Sequence, residues 1–472
     1  MLIARNNEIK ILEDAYSADE SKFIAIYGRR RIGKTYLIRK TFTDRITFAH
    51  TGYSGGNMKE QLFAFSASLR EFGYEDFGRP SSWLEAFELL KDLIRASNDV
   101  KKVIFLDELS WMDTAKSDFL MALEGFWNGW ASARNDILLI VCGSATSWIM
   151  DNIIHNKRGL YNRLSYQIEL LPFTLGECET YAKTNHIVMN RHQLLNCYMI
   201  LGGVPFYWSL LKKGLSLPQN IDNLFFARNA ALKDEFQYLY SSLFKKPDRY
   251  IDIVNALGKN KAGMTREELL AATKESNSGA FTKRLLNLIN CGFIRKYNEF
   301  GKKTRNCRYR LVDNFTLFYY KFMADRPNDA HFWENHSESA EVNAWCGLAF
   351  ERVCFEHIDQ IKKALGISGV STEVYSWSCK RDIENGINGS QIDMLIVRKD
   401  QIINVCEMKF ARGKYTVTSK TDTDIRKKIN DFFAVTETRY AIHPIIVTTY
   451  GLTENAYAGN IQAVITAEDL FN

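Results

Sequence analysis

The sequence predicts an α/β protein whose leading half is built around a parallel, phosphate-binding sheet. Three observations predict it. The apolar run Phe23-Ile24-Ala25-Ile26-Tyr27 leads into Gly28-Arg29-Arg30-Arg31-Ile32-Gly33-Lys34-Thr35, and Tyr36-Leu37-Ile38-Arg39-Lys40 follows. That is the strand, G-x-x-x-x-G-K-[ST] loop and helix of a phosphate cradle. Further on, Val103-Ile104-Phe105-Leu106 ends in Asp107-Glu108. Near the end, two apolar runs carry Asp393 and Glu407, with Lys409 two positions beyond the second acid.

The loop comes first. Its glycines let backbone N–H groups of Arg29, Arg30, Arg31 and Ile32 turn inward around phosphate oxygens, and the following helix adds its positive N-terminal end. Lys34 is placed to reach the β- and γ-phosphates, and the Thr35 hydroxyl to ligate Mg²⁺. A chance match in a loop is the competing explanation, and the flanking strand and helix argue against it.

The second strand of this reading, Val103–Leu106, delivers two carboxylates to the same sheet edge. Asp107 is expected to hold Mg²⁺ through water, and Glu108 to orient or deprotonate the attacking water. A third strand, Ile137–Cys142, ends at Gly143-Ser144-Ala145-Thr146-Ser147. Ser144 either senses the γ-phosphate or merely sits in a turn that caps a helix. Arg158 and Arg163 are arginines that can serve the γ-phosphate, on this chain or on a neighbour, and spacing does not choose between them. Asn156-Lys157-Arg158-Gly159 breaks the N-K-x-D guanine pattern at its last position, so adenine, and hence ATP, is expected by default.

The middle reads as helix, turn, helix and basic hairpin. Tyr250–Leu257 spaces Ile251, Val254 and Leu257 as a helix does. Thr265 with Glu268 is a capping box. Phe281, Leu285, Leu288 and Ile289 form a stripe on a helix over 278–290, and Gly292 stops it. Phe293–Tyr297 and Arg308–Val312 then flank the turn Gly301-Lys302-Lys303-Thr304-Arg305. This is the winged-helix pattern. Lys283, Arg284, Lys302, Lys303 and Arg305 either touch phosphates or belong to a module that only packs between domains.

In the last part, Gln391–Val397 and Gln401–Lys409 read as a hairpin of two strands. Residues i and i+2 share a strand face, so Glu407 and Lys409 point together and can approach Asp393. Two carboxylates suit Mg²⁺, and a neighbouring lysine can polarise the attacking water. A plain surface salt bridge is the other explanation. Arg426-Lys427-Lys428 downstream is a candidate to hold a scissile phosphate.

These motifs resemble known families. Arg5-Asn6-Asn7-Glu8, GRRRIGKT, FLDE, CGSATSW, LYNRLSYQIELLPF and Gly202-Gly203-Val204-Pro205 resemble the archaeal-type ATPases of the STAND/AAA+ class, over roughly the first 240 residues. The resemblance implies an AAA+-like sheet with a helical lid that brings Gly203 and Pro205 near the nucleotide. It also implies that ATP binding acts as a switch and hydrolysis as its reset, and it matches Arg163 to the class's basic residue before Leu171-Pro172-Phe173. The D…E-x-K hairpin resembles the PD-(D/E)XK nuclease superfamily, a restriction-endonuclease-like α/β fold, and the domain of unknown function that follows such ATPases. That resemblance adds Glu351, on the upstream Gly347-Leu348-Ala349-Phe350-Glu351, to the metal set. Ile392, rather than proline, precedes Asp393.

Composition bounds the rest. With 472 residues the chain is too long for one core, and four segments are expected: a P-loop core at 1–170, a lid at 171–243, a winged helix at 244–325 and a nuclease-like domain at 335–472. Only 7 prolines and no low-complexity tract argue against long linkers. Nine cysteines without a C-x-x-C pair exclude a zinc ribbon or a disulfide framework. His331 and His336 lie close together without cysteine partners, which favours a structural reading. No apolar run approaches a membrane span and the first residues lack a signal-peptide build, so a cytoplasmic protein without membrane contact is expected. The net charge of +6 permits nucleic acid as a partner, DNA above RNA, and a homo-oligomer is allowed. The expected function is an ATPase that controls Mg²⁺-dependent cleavage of nucleic acid. Its rivals are an ATP-dependent DNA-binding switch and a signalling ATPase whose last domain binds protein.

Overall fold

A computed structural model describes residues 2–472 except 75–77, 145, 156–158, 245, 261–262, 302–306, 326, 383 and 385–386. Arg158 and the basic turn residues Lys302, Lys303 and Arg305 therefore lie outside the described residues. The chain divides into two compact units: Met1–Pro172 with Leu285–Cys291, and Phe173–Arg284 with Gly292–Asn472.

The first unit is organised by one parallel sheet. Its strands are β1 (Lys22–Tyr27), β2 (Ile46–Thr51), β3 (Lys102–Asp107), β4 (Ile137–Cys142) and β5 (Tyr166–Glu169), in the order β2-β3-β4-β1-β5. All of β4 is buried because β3 and β1 flank it and helices cover both of its faces. Phe23, Ala25, Ile104, Leu106, Leu139 and Val141 face one core, shared with helices Met58–Glu71, Trp83–Ala96 and Phe119–Gly129. Ile24, Ile26, Val103, Phe105, Leu138 and Ile140 face the other, against Leu12 and Ala15 of Asn6–Tyr16 and Leu37 and Ile38 of Lys34–Thr41. Burial on both faces is why β1, β3 and β4 are unbroken apolar runs. The strand ends bearing Gly28, Glu108 and Gly143 all lie at one edge, since the strands run the same way.

In the second unit, helices Pro247–Gly258 and Arg266–Thr273 and the start of helix Gly279–Asn290, up to Arg284, precede a hairpin of β6 (Ile294–Tyr297) and β7 (Arg308–Leu311). The Thr265–Glu268 capping box is formed in both directions, at 2.8 and 3.2 Å. A second sheet follows, of β8 (Thr372–Ser378), β9 (Gln391–Arg398), β10 (Ile402–Lys409), β11 (Ala441–Thr448) and β12 (Ala463–Thr466), in the order β12-β11-β10-β9-β8. The β8–β9 and β9–β10 pairs are antiparallel, whereas β10–β11 and β11–β12 are parallel. Helices Ala340–Glu356 and Ser419–Thr436 pack on it, the second burying Phe432 against Trp377, Leu395 and Val405. The hairpin is tied to this sheet, because the Phe300 N–H donates to the Ser376 carbonyl at 2.9 Å and Glu299 accepts from Ser378 and Arg308. Among the described residues no helix is long and apolar enough to cross a membrane.

Gly203 shows how tightly one turn is closed: a Cβ there would lie 1.8 Å from the Phe173 carbonyl oxygen. Gly125, within helix Phe119–Gly129, has no atom within 4 Å of the same position. In chemical denaturation Gly203→Ala should cost roughly 2–4 kcal/mol, and Gly125→Ala should gain roughly 0.5–1 kcal/mol. Equal effects from the two substitutions would contradict this packing.

Candidate functional site

The loop after β1 is shaped by backbone conformations that few residues tolerate. Gly28 has φ +137° and Gly33 φ +90°, and Arg31 between them has φ +72°. A Cβ on Gly28 would lie 2.4 Å from the Leu170 carbonyl, so glycine is needed there for space as well as for torsion. Gly33 opens the helix Lys34–Thr41, whose N-terminal N–H groups face the loop.

Lys34 is buried, and its ammonium donates to the carbonyls of Gly28 and Arg29 at 2.8 and 3.0 Å. Burial holds its pKa below the ordinary lysine range, with the Glu108 and Asp107 charges opposing the shift. The Thr35 hydroxyl donates to Asp107 Oδ2 at 2.7 Å. Asp107, only 4% exposed, takes two further donors: Oδ1 accepts from the Glu108 N–H at 2.9 Å and from the Cys142 thiol at 2.6 Å. Burial first, then the Asp107 charge, raises Cys142 well above the ordinary thiol range, so it stays protonated and donates. Glu108 has φ +50°, and its Oε2 accepts from both the N–H and the hydroxyl of Ser144, at 3.1 and 2.8 Å.

Six of the expected residues are thus brought together at the sheet edge: Gly28, Gly33, Lys34, Thr35, Asp107 and Glu108, with Ser144 holding the last. The hydroxyl–carboxylate pair Thr35–Asp107 is a hard oxygen donor set that fits Mg²⁺. Arg163 lies exposed in the turn before β5, and no hydrogen bond or ion pair joins it to the loop among the described residues. Gly203 and Pro205 belong to the second unit, Pro205 opening the helix Pro205–Ser209. Sequence reasoning missed Cys142; its place directly before Gly143, at the end of a buried strand, was the available signal.

The second group lies wholly in the second unit. β9 and β10 pair with Met394 opposite Cys406, which brings Asp393 and Glu407 opposite one another one step further on. Glu407 accepts from Lys409 at 2.7 Å through Oε1 and from Lys428 at 2.8 Å through Oε2. Burial would raise Glu407, but Lys428 and Lys409 outweigh it and hold the carboxyl below its ordinary range. Asp393 accepts from Gln391 at 2.7 Å and faces the Arg310 guanidinium at 3.8 Å. Glu351, from helix Ala340–Glu356, is pushed up to about 7 by burial and then by the charges of Asp393 and Glu407. The three carboxylates face one cavity as hard oxygen donors of the kind a divalent cation takes, although their oxygens do not all gather within 4.8 Å of one another. They line a cavity of about 650 Å³ together with Lys409, Lys427 and Lys428. Arg426 instead pairs with Asp422 on its own helix. Sequence reasoning missed Arg310, which no local pattern ties to β9.

Of the basic residues proposed to touch phosphates, Arg284 is held by Glu275. His331 pairs with Glu334 and, with Asp222, forms the one three-residue metal-like cluster found among the described residues. Both Asp222 carboxylate oxygens already accept backbone N–H groups, from Trp333 and Glu334, which makes it a helix cap.

Residues 2–211 match the family described as an ATPase domain predominantly from Archaea. The chain carries an archaeal-type ATPase domain. An uncharacterized protein of Methanocaldococcus jannaschii is 24% identical over 446 residues, covering 92% of this chain and 91% of that one. An uncharacterized ATP-binding protein of the same organism is 42% identical over 40 residues, 8% of this chain and 68% of that protein. Among solved structures, the Walker-type ATPase of Pyrococcus abyssi aligns with a TM-score of 0.49 at 15% identity, over 68% of this chain and 96% of its own. The ORC2 protein of Aeropyrum pernix, solved with ADPNP and ADP, aligns with a TM-score of 0.43 at 15% identity, over 67% of this chain and 92% of its own.

For the ATPase domain, Lys34→Ala removes a buried cation aimed at the loop. It should weaken binding of a fluorescent ATP analogue roughly 10- to 100-fold, the worth of a charged hydrogen bond. Unchanged anisotropy titrations would place the triphosphate elsewhere.

Proposed function

We propose that the chain is an ATP-controlled nuclease: an ATPase domain of the STAND/AAA+ kind whose nucleotide state governs Mg²⁺-dependent cleavage of nucleic acid by the second unit. The carrying observation is the convergence of Glu351, Asp393 and Glu407 with Lys409 and Lys428 in one cavity. In this reading residues 1–170 are the P-loop core, 171–243 the lid, 244–325 a winged helix and 335–472 a PD-(D/E)XK-type domain. DNA is the favoured partner, the setting is cytoplasmic, and an exposed Arg163 suits service to a neighbouring copy.

At the first site the loop N–H groups from Arg29 to Ile32 and the Lys34 ammonium bind the phosphates. Thr35 and Asp107 would hold Mg²⁺, whose chemistry is to neutralise charge on the phosphates. Glu108, oriented by Ser144, positions and deprotonates the attacking water, and Pro205 on the lid follows the nucleotide's state. At the second site Glu351, Asp393 and Glu407 would hold the divalent ion, whose chemistry is to neutralise the phosphodiester and lower the pKa of water. Lys409 orients the water that attacks phosphorus, and that water gives up a proton to solvent. The P–O bond to the leaving oxygen breaks, and the departing alkoxide takes a proton from solvent. Lys427 faces the same cavity and suits the phosphate of the strand.

A second reading has its own support. Glu407 is already held by two lysines and Asp393 by Arg310, an arrangement that serves equally well as a scaffold. The protein would then be an ATP-dependent DNA-binding or signalling switch.

Two experiments separate the readings. Glu108→Gln should retain ATP binding and lower turnover about 10²- to 10⁴-fold, with Ser144→Ala intermediate, in a phosphate-release assay. The purified chain with Mg²⁺ and ATP should cut DNA or RNA oligonucleotides, Asp393→Ala should not, and Lys34→Ala should change the nucleotide dependence of cutting. ATP hydrolysis without cleavage by the unaltered chain would favour the switch, and cleavage indifferent to Lys34→Ala would remove the coupling.

A further inference from the structure

Beside the acid cavity lies a second one of about 350 Å³, also within the second unit. The two share Arg310, Leu348 and Glu351, so one opens beside the other across a single acid and a single arginine. The second cavity has a different chemistry. Tyr297 on β6, Tyr320 on the helical segment Tyr319–Met323, and Trp345 and Phe355 on the helix that carries Glu351 line it, all buried or half-buried.

Its polar groups are unusual. Nε and Nη2 of Arg352 are shut off from solvent without a hydrogen-bond partner, as are the Tyr320 hydroxyl and Arg310 Nε. Donors left unmade in this way cost free energy that a bound acceptor recovers. Arg352 directly follows Glu351 in the helix, so these donors and the acid cluster are fixed by the same backbone. Arg310 stands at the junction, over the Tyr297 ring at 5.1 Å and 3.8 Å from Asp393.

Resting on the nuclease reading, we propose that this cavity receives one unpaired nucleobase of the strand being cut, which makes the substrate single-stranded or locally unpaired nucleic acid. Three properties argue for that occupant. Aromatic walls stack on the flat face that every base presents. Arginine and tyrosine donors meet the acceptors on a base edge. A volume of about 350 Å³ is at the small end of ligand pockets, roughly 300–1,000 Å³, and excludes a base still paired in a duplex. With the base held there, Arg310 lies where the adjoining phosphate passes towards Glu351 and Asp393.

The test uses the full chain with Ca²⁺ in place of Mg²⁺, and DNA and RNA oligonucleotides carrying 2-aminopurine at successive positions. A change of fluorescence confined to one position, and binding of the single strand at least 10-fold tighter than of the matching blunt duplex, is expected. Tyr320→Phe and Arg352→Lys, both conservative, should each weaken that signal, and Arg352→Ala should weaken strand binding about 5- to 100-fold. Strand binding with no position-dependent signal, or equal affinity for duplex, would overturn the pocket while leaving cleavage intact as a separate result. A position-specific signal without cleavage in Mg²⁺ would uphold the pocket and sink the nuclease. Displacement of the signal by a free nucleoside monophosphate as effectively as by the strand would make a free nucleotide the occupant and overturn the proposal.

Discussion

Asp107 is the point on which the first unit turns. A carboxylate at 4% exposure is expensive to bury unless both oxygens are hydrogen-bonded. Here the Thr35 hydroxyl, the Glu108 N–H and the Cys142 thiol meet that demand from three directions. Those partners come from the helix after the β1 loop, from the residue that follows β3 and from the end of β4. One carboxylate therefore fixes the relative advance of three strands and the start of the helix at Lys34. The same geometry stations Glu108 against Ser144, so the groups that can handle a phosphate are ordered by the packing of the sheet edge.

The second unit poses the opposite electrostatic problem. Glu351, Asp393 and Glu407 are brought close by β9, β10 and a helix that owes its position to core packing. Burial first, and then the charges of Asp393 and Glu407, push Glu351 up to about 7, while Lys428 and Lys409 hold Glu407 below its ordinary range. Sites with such divergent carboxyl groups are suited to a cation and to proton handling. The neighbouring aromatic cavity extends the same logic, because Nε and Nη2 of Arg352 and the Tyr320 hydroxyl are buried there without hydrogen-bond partners.

Legibility followed sequence distance. The strands β1, β3 and β4, the capping box at Thr265 and the hairpin pair β9–β10 were readable because each is written in a short window by apolar period or cap chemistry. The strand β2 was not read, since Ile46–Thr51 mixes Thr and His with apolar residues and carries no acid or glycine signal. Nor was β5, which is short and mostly exposed. Of the basic run on helix Ser419–Thr436, Lys428 turns to Glu407 while Arg426 pairs within its own helix, a difference set by helical phase against the sheet.

The sequence by itself determined the phosphate loop, because glycine torsions, a lysine and a hydroxyl in eight consecutive residues leave the backbone little choice. It also determined that Glu407 and Lys409 share a face, from the two-residue period of a strand. Only the tertiary structure decided that Cys142 would donate to Asp107, that Ser144 would hold Glu108, that Arg310 would face Asp393, and that a ring-lined cavity would adjoin Glu351. Each of those depends on which elements pack side by side. The reason is physical: local patterns specify torsion and burial, whereas contacts between distant residues are chosen by how whole surfaces fit at close packing.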